Sequence, residues 1–253
     1  IAPGNHSNEE TLRLVNNLFR LNLPIKLSPE IYDIITSGVK HANITSEPFV
    51  NIAQSSMPEW QKSVKRTVDI VVSTISLILL LPAFAVISFL IKRDSQGSVF
   101  YKQERIGRHG KPFNIYKFRT MYSDAERDGV PRLTGDNDRR ITRIGSFLRK
   151  YRIDETPQFW NVIKGDMSLV GPRPEREYFA QRIVEKAPYY TLTYRIRPGI
   201  TSWGMVKYGY AQTVDEMIER SKYDLIYLEN MSLFIDIKIV LYTVRTVLTG
   251  KGI

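Results

Sequence analysis

The stretch RKYRIDETPQFWNVIKGDMSLVGPRPERE, Arg149 to Glu177, concentrates groups that could handle an anion. Two adjacent carboxylates, Asp154 and Glu155, follow a run of cations that includes Arg149. Neighbouring side chains on a helix point about 100° apart, so both can reach one ligand only at a helix end or around a cleft. A carboxylate can serve as a nucleophile and form an acyl phosphate. Magnesium takes one or two carboxylates together with substrate phosphates. The ordinary counterpart is a solvated Asp-Glu pair at a helix end. Downstream, Gly171 and the prolines at 172 and 174 fix a rigid turn around Arg173. A guanidinium held by such a turn is suited to bidentate contact with a phosphate, although a structural turn with an exposed arginine has the same spelling. In YKFRTM, period-two alternation places Lys117 and Arg119 on one face of a strand, either facing a phosphate or solvated. GDNDRR spells a DxD at Asp136 and Asp138, which in a polar loop reads first as a turn. No Walker loop, dinucleotide fingerprint or Ser-His-Asp order is present.

These residues need elements to position them, and the chain of 253 residues divides into three regions. Residues 1–60 mix helix and strand signals: a helical face over EETLRLVNNLFRLN, a short strand in LPIKLS, a short helix in SPEIYDIITSG and a linker to Trp60. This piece reads as the tail of an N-terminal α/β domain. In residues 61–94, Ile70 to Ile91 contains no charged residue. As a helix it would be about 33 Å long, enough for a hydrocarbon core of about 30 Å. Lys62, Lys65 and Arg66 precede it and Lys92 and Arg93 follow it, a balance that favours both ends on the cytoplasmic side. Pro82 near its middle breaks helical hydrogen bonding, and Ser73, Thr74 and Ser76 are candidates to satisfy freed carbonyls. The pattern alone leaves a kinked spanning helix, a re-entrant helix that turns back at Pro82, and a buried core helix open.

Residues 95–253 have soluble composition, with strands in SVFYKQ and FNIYKF followed mainly by helices. RRITRIGSFLRKYRIDE is basic and amphipathic, with Ile141, Ile144, Phe147 and Leu148 on one side, and SLFIDIKIVLYTVRTVLTGKG makes a final apolar-faced helix. The net charge of +10 favours an anionic partner: a phosphorylated substrate, an anionic membrane or nucleic acid. Nucleic-acid motifs are absent, so nucleic acid is not expected as a partner. There is no cysteine, hence no disulfide and no Cys-based metal site, and the histidines 6, 41 and 109 are too scattered for a His cluster.

Taken in order, KRTVDIVVS…LLLP, VFYKQERIGRHGKPFNIYKFRTM, RITRIGSFLRKYRIDETPQFWNVIKGDMSLVGPRPE and YRIRPGITSWGMVKYG resemble the bacterial sugar transferases, the monotopic polyprenyl-phosphate phosphoglycosyl transferases. The resemblance covers Lys62 to Ile253, and residues 1–60 resemble the end of the extra N-terminal domain of longer members. It implies an α+β protein with a membrane re-entrant helix (61–94), interfacial amphipathic helices and a small mixed α/β cytoplasmic catalytic domain (95–253). It implies transfer of a sugar-1-phosphate from a UDP-sugar to undecaprenyl phosphate, with UMP released, at the cytoplasmic face of the bacterial inner membrane. This would be the first membrane step of a capsule, O-antigen or exopolysaccharide. By the same likeness Asp154 is the nucleophile, Glu155 a ligand to Mg²⁺, Arg149 and Arg173 contact phosphate, Lys117 and Arg119 lie in a matching segment, and Pro82 marks the re-entrant bend. Leu81 stands where some members have serine. A homodimer is left open. Two competing expectations are a non-catalytic membrane-anchored scaffold for anionic lipid, and a glycosyltransferase built on Asp136 and Asp138 that would release UDP.

Overall fold

The computed structural model describes residues 26–27, 50–51, 57–125, 133 and 138–249. The chain separates into two units, residues 1–55 and 56–253. In the first, β1 (Lys26–Leu27), inside the stretch expected to be a strand, pairs antiparallel with β2 (Val50–Asn51), which lies in the stretch expected to be a linker. The two helices expected there lie outside the described residues, as does Asp136.

The second unit opens with α1, Glu59–Asp94, a helix of 36 residues. By length and composition it could cross a membrane. Its middle is apolar and outward-facing, with Leu79 71% exposed. Secondary structure continues through Pro82, where a break was expected. A proline removes one hydrogen bond and crowds the preceding turn, which long flanking helical segments can tolerate with a local bend. Ser73 does not relieve the freed carbonyl, because its Oγ is buried without a hydrogen-bond partner.

Both ends of α1 hold the same unit. Near the start, Arg66 donates to the carbonyls of Val162 and Ile163, and Asp69 accepts from Ser168 and Leu169. At the far end, Ile91 packs with Phe118 and Leu148, joined by Phe84 and Ile87, and Asp94 accepts from the Ile144 amide.

After α1 the chain forms an antiparallel hairpin, β3 (Phe100–Ile106) with β4 (Pro112–Phe118), in register Tyr101 opposite Lys117. Its turn includes His109 and Gly110, both at positive φ. Alternation sorts the hairpin into two faces. Phe100 and Phe118 stack on one, and Tyr101, Gln103, Arg105 and Lys117 line a cleft on the other. Next come α2 (Arg143–Lys150), capped by Thr142, then a 3₁₀ segment Ile153–Gln158 and α3 (Phe159–Lys164), which stops at Gly165 in the left-handed conformation.

Strand β5 (Ser168–Val170) pairs in parallel with β6 (Gly199–Thr201). Between them lie α4 (Glu177–Lys186) and a 3₁₀ segment Pro188–Arg195. The unit ends with α5 (Trp203–Lys207), α6 (Val214–Glu229) and α7 (Leu233–Leu248), each opened by a Ser or Thr cap. The cores are small and separate. Val170, Tyr227, Leu228 and Ile239 form one beneath β5, and Ile115, Val162 and Met167 form another beneath the hairpin. The architecture is therefore mixed helix and small sheets around one long apolar helix.

Close approach fixes how α2 meets the end of the hairpin. A Cβ on Gly145 would stand 2.1 Å from the Thr120 carbonyl oxygen. That carbonyl already accepts from the Thr142 amide, so it cannot retreat freely. Gly145→Ala should therefore cost about 3 kcal/mol and lower Tm by about 6–12 °C, measurable by scanning fluorimetry in detergent.

Candidate active site

The acidic pair sits where α2 gives way to the 3₁₀ segment. Arg152 makes the break by adopting φ 54°, ψ 23°, a left-handed conformation that costs a non-glycine residue about 1–2 kcal/mol. The turn that follows carries Asp154 and Glu155 inward, to 7% and 4% exposure. Pro157, inside the same segment, keeps it from continuing as an α-helix.

Glu155 is held by cations on both oxygens. Lys117 Nζ donates to Oε1 at 2.7 Å, Arg173 reaches the same oxygen at 3.4 Å, and Arg152 donates to Oε2 at 2.8 Å. Burial works to raise its pKa, but the three cations outweigh it and hold the carboxyl well below the usual range. Asp154 differs. None of the hydrogen bonds or ion pairs among the described residues engages its carboxylate, and it lines the cleft. Burial pushes its pKa up to about 6; Lys117 opposes this, and the neighbouring Glu155 charge adds to it. Two adjacent carboxylates thus receive opposite environments. One is a fixed anion, and the other is an unengaged group poised near neutral pH.

The cleft has a volume of about 490 Å³ and is bounded by the inner face of the hairpin, Arg149, Asp154, Arg173, Tyr210 and Arg220. Arg149 donates from Nε to the Thr120 hydroxyl at 2.9 Å. Two guanidinium groups approach the Tyr210 ring, with Arg152 5.5 Å and Arg173 5.6 Å from its centroid. Deeper in the cleft, Glu175 is clamped between Arg105 and Arg220, with the Arg220 contact very short. Arg173 is set from the backbone as well, its amide donating to Asp224 at 3.3 Å. Asp224 also accepts from the Gly204 amide at 2.7 Å, and burial raises its pKa to about 6 despite these bonds.

The expected residues therefore converge in part. Lys117, Arg149, Asp154 and Arg173 line one cleft, and Glu155 lies behind them, bonded to Lys117 and Arg173. Arg119 also borders the cleft, but its guanidinium turns toward the end of α1 and donates to the carbonyls of Ser95 and Gln96 at 2.7 Å each. The strand ends at Phe118, so the alternation that would place Arg119 beside Lys117 no longer applies, and the orphan carbonyls at the helix terminus attract the cation. Asp138 is closed by its own neighbour, with Arg140 Nε 2.9 Å from Oδ1 and the Arg140 hydrogen bonds lowering its pKa. Sequence reasoning did not single out Arg152, Thr120, Tyr210, Glu175 or Asp224. For Arg152 a signal existed in its spacing three residues before Glu155.

The donor set can be tested against magnesium. Glu155 has both oxygens engaged by cations, which leaves Asp154 as the unengaged carboxylate. Lys117, Arg149, Arg152 and Arg173 outnumber the two carboxylates, so a bare divalent cation would meet net repulsion. A diphosphate diester brings two negative charges that cancel this excess, and its phosphates supply further oxygen ligands. The residues fit a magnesium ion that arrives with a diphosphate.

Together these features define an α+β chain that carries a membrane-type helix and presents a buried acidic pair in a cationic cleft. Residues 60–250 match the family described as bacterial sugar transferase, and the chain belongs to that family. It is 38% identical over 231 residues to a protein of Aeromonas hydrophila named UDP-N-acetylgalactosamine-undecaprenyl-phosphate N-acetylgalactosaminephosphotransferase, covering 91% of this chain and 54% of that protein. It is 35% identical over 236 residues to the UDP-glucose:undecaprenyl-phosphate glucose-1-phosphate transferase of Escherichia coli (strain K12), covering 92% and 50%. Against a transferase of the same name from Caulobacter vibrioides (strain ATCC 19089 / CIP 103742 / CB 15) it is 39% identical over 191 residues, covering 73% and 70%. The chain spans about half the length of the first two relatives.

The environment of Asp154 sets a pH dependence. An unfolded aspartate titrates near 3.9, below the folded value of about 6. Stability from this group is present in full below pH ~3.9 and is lost as pH rises through ~6, by ~3 kcal/mol. Asp154→Asn should therefore melt higher than the unmodified chain at pH 8, with the difference about half as large at pH 5 and gone below pH ~4. Thermal melts across that range check it.

Proposed function

We propose that this chain is the catalytic part of a polyprenyl-phosphate phosphoglycosyl transferase. It moves a sugar-1-phosphate from a UDP-sugar to undecaprenyl phosphate and releases UMP. The observation that carries the reading is the unengaged, buried Asp154 carboxylate beside Glu155, in a cleft lined by Lys117, Arg149 and Arg173, with Arg152 bonded to Glu155 behind it. The names of the relatives, which pair UDP-sugars with undecaprenyl phosphate, support the same pair of substrates.

A diphosphate entering this cleft is met by the cations first. They bind its oxygens and disperse the charge that would otherwise repel a carboxylate. Asp154 then attacks the phosphorus that bears the sugar. A bond forms between a carboxylate oxygen and that phosphorus, the phosphorus–oxygen bond to the uridine phosphate breaks, and UMP leaves with the electron pair. In the second half-reaction an oxygen of the lipid phosphate attacks the same phosphorus. The bond to Asp154 breaks and the carboxylate is restored, so no net proton is consumed. Glu155 stays ionised throughout and orients Lys117, Arg152 and Arg173. Magnesium would be held by the phosphates and the Asp154 carboxylate and would supply further charge neutralisation; Glu155, expected as its ligand, has both oxygens engaged by cations. Arg119 is assigned to the end of α1 instead of to the substrate.

The lipid substrate requires a catalyst seated in a membrane, on the cytoplasmic face of the bacterial inner membrane in this reading. Re-entry of α1 is supported by its two ends grasping one unit. Arg66 and Ile91 would be about 38 Å apart on a straight helix. Yet Arg66 binds Val162, which packs on Ile115, and Ile91 packs on Phe118, three residues along the same strand and about 10 Å from Ile115. A spanning helix would also put its ends on opposite sides of the bilayer. The chain lacks cysteine, which makes the test direct. Glu59→Cys and Gln96→Cys, each introduced singly in sealed vesicles, should react with an impermeant maleimide from the same face; labelling from opposite faces would refute re-entry.

The reaction itself is tested by UMP release across a panel of UDP-sugars with undecaprenyl phosphate and magnesium. One sugar should support turnover, and without the lipid a single burst equal to the enzyme concentration should appear. Asp154→Asn should lower the rate at least about a thousandfold and abolish the burst. Release of UDP in place of UMP would overturn the assignment.

A further inference from the structure

The charged side chains at the base of α1 take no part in the reaction above, yet they grip the strand that delivers Arg173 to the cleft. Among the described residues β5 has a single strand neighbour, β6. The Leu169 amide, which a second strand would otherwise accept, donates to Asp69 Oδ1 at 3.1 Å. Asp69 Oδ2 accepts from the Ser168 hydroxyl at 2.7 Å. One helical turn earlier, Lys65 Nζ donates to the Val170 carbonyl at 3.0 Å and to Asp236 at 2.6 Å. Asp236 in turn accepts from the Tyr227 hydroxyl at 2.6 Å. Asp69 is only 4% exposed, next to the charge-free stretch Ile70 to Ile91 of α1. A carboxylate is costly to bury there unless its bonds are made.

The path from this clamp to the site is short and stiff. Only Gly171 and Pro172 separate Val170 from Arg173. Gly171 lies so close to the opposite chain that a Cβ would stand 2.3 Å from the Arg197 oxygen, and its amide donates to Thr201. Pro172 has a fixed φ, and its carbonyl accepts from the Gly199 amide. A shift of β5 along its axis therefore has no flexible residue to absorb it before Arg173, whose guanidinium contacts Glu155 at 3.4 Å.

We propose that Asp69, assisted by Lys65, is a positioning residue: it holds β5 in register against the membrane helix and so places Arg173 beside Glu155. The seating of α1 and the geometry of the cleft are then coupled through one strand. The catalytic consequence rests on the phosphate-binding reading of Arg173, whereas the mechanical coupling does not.

Two measurements on the full chain in lipid nanodiscs separate these levels. The first is hydrogen exchange. Asp69→Asn should speed exchange about tenfold or more in the segment 168–176, with the hairpin 100–118 unchanged; uniform acceleration or no local change overturns the proposal whatever the enzyme does. The second is a double-mutant cycle on UMP release. Asp69→Asn alone should reduce kcat/KM about tenfold, and in an Arg173→Ala background it should add almost nothing. Multiplicative losses would show that Asp69 acts elsewhere and would overturn the proposal. If the unmodified chain released no UMP, the functional reading would fall while the exchange result still decided the coupling. Ser168→Ala, which removes one bond and leaves the charge, repeats both measurements with smaller effects if the Asn variant fails to fold.

Discussion

Adjacent carboxylates buried together must be neutralised, and most of the second unit can be understood as the means. Like charges a few ångströms apart in a poorly solvated site raise one another's protonation, and an unpaired buried anion is expensive. Here the cost is met unevenly. Lys117 from the hairpin, Arg152 from the helix break and Arg173 from the strand turn all attend to Glu155. Three separate elements must therefore meet at one carboxylate before the fold is complete. Asp154 benefits from their field without being bound by them, which leaves it free to react. The site is stable as an ion cage and reactive at its one unengaged member.

This division of labour also explains why the cores are small. The hairpin, α2, α3 and β5 each contribute a few apolar residues to local clusters, with no single large core among the described residues. Charged and polar contacts at their junctions supply the missing definition. Arg66 caps the C-terminal carbonyls of α3, Arg119 caps α1, and Asp69 satisfies the free amide of β5. Such contacts are directional where apolar packing is not, so they specify how the elements meet.

Legibility in the sequence followed the range of the interactions. The acidic pair, the hairpin, the long apolar helix and the Gly-Pro-Arg-Pro turn were readable because local spacing and composition encode them. Arg119 was misplaced because alternation ends with the strand, one residue earlier. β6 was invisible because three residues carry no period, and RPGITSWG reads equally as a loop. Asp224 and Asp69 act across 51 and 100 residues of chain, on Arg173 and Leu169, so no local pattern could reveal them. Arg152 lay inside an apparently continuous basic helix, and its unusual backbone angle is imposed by the tertiary contacts that follow.

That backbone angle makes position 152 a place where local strain and ion pairing pull apart. Glycine would accept the left-handed conformation with little strain and would relax the junction between α2 and the 3₁₀ turn. It would also delete the only cation bonded to Glu155 Oε2 among the described residues. Breaking a buried ion pair costs about 3–5 kcal/mol, more than the roughly 1–2 kcal/mol of left-handed strain that glycine would relieve. Folding and the ion cage therefore both keep this residue arginine, and the strained turn persists because the carboxylate it serves is buried.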